Sequence, residues 1–164
     1  MQEEMNKEKE MMRGNPTIYD ILKQEHKDVK KLFKQIIDEQ RYQDSIYMQI
    51  KSALVLHMAG EEKLFYPRLE NNAATRQLVL EAYEEHDVGK KVINDIDSSS
   101  SDDVKLAKVK VLSEAINEHV DEEEGDLFKK AKKVLSSEDE HEIARQFMNE
   151  KMQNMPNTPP PPTM

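Results

Sequence analysis

One pattern is written twice in this chain of 164 residues. Glu25-His26-Lys27-Asp28-Val29 returns sixty residues later as Glu85-His86-Asp87-Val88. His57-x-x-x-Glu61, followed by Leu64-Phe65, returns as His119-x-x-x-Glu123, followed by Leu127-Phe128. Each copy is one segment with a histidine and then a second with His-x-x-x-Glu. A four-residue spacing is one helical turn, so it puts both side chains on one face only in a helix. A chain that repeats such a helix pair is expected to close as a pseudo-two-fold bundle of four helices.

The remaining pattern agrees with that architecture. Asn15-Pro16-Thr17 reads as a helix start, and the first helix is expected from about Thr17 to Glu39, with Leu22, Val29, Phe33 and Ile36 or Ile37 as its apolar stripe. A second, about Gln43 to Glu70, carries Ile50, Leu54, Leu64 and Phe65, and Pro67 should kink or close it. Asn71-Asn72 is a turn. The third, about Thr75 to Ile96, carries Val79, Ala82, Tyr83 and Ile93. After the polar Ser98–Ser101 run, Asp102 or Asp103 is read as the cap of the fourth, which reaches about Leu135 through Val109, Leu112, Ile116 and Leu127. Ser137 and Glu140 form a capping box for a short fifth helix with Ile143, Ala144, Phe147 and Met148 on one face. The fold class is therefore all-α. Residues 1–14 are read as a charged leader, frayed or disordered, residues 15–153 as the bundle with its fifth helix, and residues 154–164 as a disordered proline-rich tail.

Each of the four long helices places one histidine on its apolar stripe. His26 follows Leu22 by four residues, His57 follows Leu54 by three, His86 follows Ala82 by four and His119 follows Ile116 by three. Four imidazoles thus point at the bundle axis. Glu61 and Glu123 sit on the same inward faces. A carboxylate on an apolar stripe is costly to bury unless it is paired or metal-bound. A single inward histidine is more often a satisfied core residue, and a single His-x-x-x-Glu is more often an exposed pair. The joint, repeated pattern favours a shared positive charge, which two divalent metals on His26, His57, Glu61, His86, His119 and Glu123 would supply. Glu62, Glu122 and Glu124 flank these as outer-face or supporting groups. His141, in the acidic run Glu138–Glu142, is read as solvent-exposed.

Composition removes other classes. The net charge of -9 leaves no basic excess to neutralise nucleic-acid phosphates. There are no cysteines, which excludes disulfides, iron–sulfur clusters and thiolate zinc sites. The N-terminus lacks an apolar signal core, and no apolar run has the length of a membrane span, so no membrane partner and a cytoplasmic location are the expectation. Nitrogen and oxygen ligands fit iron, manganese or zinc, and a mixed histidine and bridging-carboxylate set favours iron. A ferritin-like site needs two Glu-x-x-His motifs, and only Glu138 to His141 is present, outside the four core helices. The ten methionines are read as core filler and tail.

At Asp20–His26, His57–Pro67, Glu84–His86 and His119–Phe128 the chain resembles the hemerythrin-like, HHE cation-binding family. The resemblance spans about residues 17–135. It implies an up-down-up-down bundle with an oxo- or hydroxo-bridged di-iron centre, His26, His57, His86 and His119 as terminal ligands, and Glu61 and Glu123 as bridges. It also implies binding of dioxygen, nitric oxide or peroxide. A monomer or weak homo-oligomer is the expectation. The chain departs from archetypal oxygen carriers on the third helix. They have His-x-x-x-His, whereas His86 is followed after four residues by Lys90 and preceded by Ala82. They also end in His-x-x-x-x-Asp, where this chain has His-x-x-x-Glu. One imidazole is therefore missing. That shifts the expectation from carriage toward sensing, iron handling or a redox activity such as peroxide breakdown.

Overall fold

The computed structural model describes residues 2–155, with only the backbone described at Glu4. Among the described residues every regular element is helical and no strand occurs. The helices are α1 (Gln2–Arg13), α2 (Ile18–Glu39), α3 (Asp44–Gly60), α4 (Arg76–Ser98), α5 (Asp102–Glu122), α6 (Phe128–Val134) and α7 (Ser137–Asn154). No helix among them is long and apolar enough to cross a membrane.

The ends of these helices follow from local chemistry. At α2, Asp20 N–H donates to the Thr17 hydroxyl at 3.3 Å, and Thr17 N–H donates to the Asp20 carboxylate at 3.0 Å. The cap is thus Thr17, with Asn15 before it in the left-handed region at φ 51. Ser101, not Asp102 or Asp103, caps α5, because its hydroxyl accepts from Val104 N–H. The α7 box is Ser136 with Asp139, one residue earlier than the Ser137–Glu140 reading. Both pairs fit the pattern of a hydroxyl three residues before a carboxylate, and Ser136 is the one whose backbone is extended, outside the helix, as a cap requires. Pro67 lies in the short 3-10 turn Tyr66–Arg68 that ends the helical stretch after α3.

The charged leader, read as frayed or disordered, is helix α1. Its Met11 and Met12 pack against the core, and Glu8 accepts an ion pair from Lys151 at 2.5 Å. These partners lie in α7 and other distant segments, so the leader's own pattern could not reveal them. From residue 156 on, the proline-rich tail expected from the sequence lies outside the described residues.

Two apolar clusters hold the molecule together. One gathers Ile18, Tyr19, Leu22, Phe65, Tyr66, Phe128 and Phe147, rich in aromatic rings. The other gathers Phe33, Ile36, Ile50, Leu54, Ile93, Ile96, Leu112 and Ile116, mostly branched aliphatics. Each buried side chain of this size contributes about 1.5–3 kcal/mol. In α2 and α4 the histidine falls in sequence between residues of the two clusters, and in α3 and α5 it falls between the aliphatic cluster and the aromatic residues of the turn that follows the helix. The polar residues therefore form one layer between two apolar ones. α2 packs on α3 and α5, α4 packs on α5, and α7 lies across α2, α3 and the turn that follows α3.

Candidate metal centre

His26 and His86 reach the polar layer from mid-helix. His57 and His119 reach it from the last turns of α3 and α5, where the chain passes into two π-helical turns, Glu61–Phe65 and Glu123–Leu127. Such a turn admits one extra residue and is frequent at functional sites. Here it occurs twice, each time starting at the glutamate. Tyr66 N–H donates to the Glu61 carbonyl, and Phe128 N–H donates to the Glu123 carbonyl. The structure thereby aligns Tyr66 with Phe128 as repeat partners.

All six residues singled out from the sequence converge. Glu61 is 0% exposed and Glu123 2%, and the four histidines are buried as well. Their donor atoms form two groups: His26, His57, Glu61 and Glu123, and Glu61, His86, His119 and Glu123. Within each group the atoms lie within 4.8 Å of one another. Both glutamates belong to both groups. His57 Nε2 is 3.0 Å from Glu61 Oε1, and His86 Nε2 is 3.2 Å from the same oxygen. His26 Nε2 is 3.2 Å from Glu123 Oε1, and His119 Nε2 is 3.3 Å from Glu123 Oε2.

Each imidazole is held from behind by a further carboxylate on its Nδ1. His26 pairs with Glu124 at 2.6 Å, His57 with Glu25 at 2.8 Å, His86 with Glu62 at 3.0 Å and His119 with Glu85 at 2.8 Å. A carboxylate accepts, so Nδ1 carries the proton and Nε2 turns its lone pair to the centre. Glu62 and Glu124, flanking groups in the sequence, stand behind His86 and His26. Glu25 and Glu85 were missed, although each directly precedes a histidine in the repeat. The third omission is Tyr66. Its hydroxyl donates to Glu123 Oε2 and lies 3.3 Å from His86 Nε2. Phe128, its repeat partner, has no hydroxyl. His141 is half-buried rather than exposed, and its Nδ1 is 3.0 Å from the Pro16 carbonyl, away from the six.

The electrostatics are those of a site built for cations. Both oxygens of Glu61, Glu123 Oε1 and His119 Nε2 are buried without a hydrogen-bond partner. Leaving such atoms orphaned is costly, so a bound cation would repay the arrangement. In the metal-free cluster protons take part of that role. Burial pushes the His57 imidazole down, but the Glu61 and Glu25 carboxylates outweigh it and hold it well above its usual value. His119, against the same penalty, is pushed up to about 10 by Glu123 and Glu85. Burial pushes Glu123 up, yet His119 and His26 hold it well below the usual carboxylate range. The donor set therefore fits a pair of metal ions, with bound metal displacing those protons.

A fold that brings repeated histidine and glutamate donors into one buried layer defines a helical cation-binding domain. The chain belongs to the family of the hemerythrin HHE cation binding domain, whose model matches residues 17–131. It is also 29% identical over 137 residues to a DNA nickase of Nostoc sp. (strain PCC 7120 / SAG 25.82 / UTEX 2576). That match covers 79% of this chain and 38% of the relative, so the chain spans well under half of that protein's length. No solved structure matches the chain.

Proposed function

We propose that this protein holds two iron ions and uses them to bind or sense a small ligand: dioxygen, nitric oxide or peroxide. His26 and His57 would hold one ion, His86 and His119 the other, with Glu61 and Glu123 bridging them. The observation that carries the reading is the sharing of both buried glutamates by the two donor groups. The mixed nitrogen and carboxylate set favours iron over manganese or zinc. Bound iron would supply redox electrons and an open coordination position. The chain's own part is to orient four Nε2 lone pairs through Glu25, Glu62, Glu85 and Glu124 and to exclude bulk water with the two apolar clusters.

The same reading takes α2 to α5 as an up-down-up-down bundle. Its support is the order of the clusters: α2 and α4 run from the aromatic cluster to the aliphatic one, and α3 and α5 start in the aliphatic cluster and reach the aromatic one through the π-helical turns that continue them. A cytoplasmic protein, monomeric or weakly self-associating, completes the proposal. Nicking of DNA is not assigned to this chain, because a net charge of -9 offers no basic excess for phosphate.

The test is optical. Protein loaded anaerobically with Fe(II) should develop a charge-transfer absorption on exposure to air or azide, and His57→Ala and His119→Ala should abolish it. A spectrum that air and azide leave unchanged counts against the proposal.

A further inference from the structure

The chain has five tyrosines and neither tryptophan nor cysteine, so tyrosine is the side chain most readily oxidised by one electron. Two of the five stand in line from the metal layer outward. Tyr66 is 0% exposed. Its hydroxyl donates to Glu123 Oε2 and lies 3.3 Å from His86 Nε2. Its ring meets the Tyr83 ring edge to face at a centroid distance of 5.4 Å. That is the contact distance of an aromatic pair, close enough for an electron to pass from ring to ring. Tyr83, in α4, is half-buried, and its hydroxyl faces Glu70 and Glu62. Burial and these two carboxylates hold its phenol above the usual range, so it keeps its proton. The other tyrosines are placed differently. Phe65 stands between Tyr19 and Tyr66, with its ring against both. Tyr42 and Tyr47 contact one another in the aliphatic cluster. Phe128, at the position of Tyr66 in the second repeat, has no hydroxyl, so that repeat offers no equivalent line.

We propose that Tyr66 and Tyr83 form a one-electron relay between the metal pair and the surface of α4, through which a soluble reductant quenches oxidising equivalents that arise at the metals. The proposal rests on the two-metal reading above and adds a redox route to it. The oxidant is a peroxide. Each peroxide reduced to two waters takes up two protons from solvent and two electrons, one from iron and one from Tyr66. As it loses that electron, Tyr66 passes its phenolic proton to Glu123 Oε2 and becomes a neutral radical. Tyr83 gives one electron to this radical, the proton returns from Glu123 to Tyr66, and Tyr83 passes its own proton to Glu70. An ascorbate-type reductant then gives one electron to Tyr83, which takes its proton back from Glu70. The reductant has lost the electron that the peroxide gained, and both phenols are restored. Tyr66 is too deeply buried to meet such a reductant directly, so the electron must come through Tyr83.

The experiment follows radicals rather than turnover. Iron-loaded protein, with iron counted in every sample, is mixed with hydrogen peroxide, freeze-quenched and read by electron paramagnetic resonance. The wild type should give a tyrosyl signal, identified by its narrowing when ring-deuterated tyrosine is incorporated, and ascorbate should erase it. Tyr66→Phe should lose the signal. Tyr83→Phe should keep it, now resistant to ascorbate. Tyr42→Phe, in the aliphatic cluster, should behave as the wild type. Should Tyr66→Phe fail to hold two irons, Tyr83→Phe decides the matter alone. The proposal is overturned by a wild type that holds two irons and gives no tyrosyl signal, by a signal that survives in Tyr66→Phe, or by one that ascorbate still erases in Tyr83→Phe. Failure of the wild type to take up two irons would instead remove the reading on which it rests.

Discussion

Glu61 and Glu123 stand one repeat apart, and each belongs to both donor groups, yet their surroundings differ. Glu61 faces His57 Nε2 at 3.0 Å and His86 Nε2 at 3.2 Å, whereas Glu123, besides its two imidazoles, accepts from the Tyr66 hydroxyl. Behind His57, Glu25 is clamped by Lys151 of α7. Behind His119, Glu85 faces Glu122, whose carboxyl is pushed up to about 7 by that neighbour. Gly60 precedes Glu61 and lies under Phe147, whereas the exposed Glu122 precedes Glu123. The donor atoms and their supporting carboxylates keep the two-fold pattern because metal chemistry demands it of both halves. The outer packing does not, because α1 and α7 have only one half to cover.

The largest effect should come from the feature the halves share. With Fe(II) at about 100 times its dissociation constant, linkage stabilises the wild type by about 2.7 kcal/mol for each iron bound. Glu61→Ala and Glu123→Ala should each lose that gain in thermal unfolding with and without metal. If one variant kept it, the glutamates would not be equal bridges. Next comes a feature of one half only. In the metal-free protein Tyr66→Phe should cost about 2 kcal/mol, the worth of a hydrogen bond to a charged group, read by denaturant unfolding. An unchanged midpoint would mean that the hydroxyl does not hold Glu123.

A smaller contrast concerns the covered face. Gly60→Ala pushes a methyl into the Phe147 ring, an overpacking cost of about 1–3 kcal/mol, offset by about 1 kcal/mol of helix propensity. The net loss should be about 1 kcal/mol, while Glu122→Ala at the matching exposed site should stay within about 0.5 kcal/mol. Equal effects would erase the difference between the faces. The smallest effect belongs to a contact between the halves. Asp97 of α4 accepts from Tyr47 and Lys51 of α3 at 2.8 and 2.7 Å. Partial burial raises its carboxyl, but those donors hold it below the usual 3.8. A lowered folded value means stability present above pH 3.8 and lost as pH falls through the folded value. Asp97→Asn should therefore cost at most about 1 kcal/mol near neutrality, and the wild type's lead should shrink in acid. A lead that persists at low pH would rule out this charge as its source.

Much of this was legible in the sequence because it is periodic. The four long helices and the convergence of His26, His57, Glu61, His86, His119 and Glu123 follow from stripe spacing and from the repeat. Glu25 and Glu85 could have been found by the same logic, since they repeat as faithfully as the histidines they precede. Tyr66 could not, because its aim depends on the π-helical turn, which breaks the 3.6-residue period that periodicity arguments assume. The capping slip from Ser137 to Ser136 reflects two adjacent hydroxyls with equally spaced carboxylates. Helix α1 was illegible because its partners lie in α7 and in other segments distant in the chain.

The central claim is that the twofold donor set holds a pair of metals. Anaerobic titration of the protein with Fe(II), with bound iron counted per chain, tests it most directly. The account expects saturation at two irons per chain, and loss of both when either Glu61 or Glu123 is replaced by alanine. Saturation at one iron, or none, would contradict it.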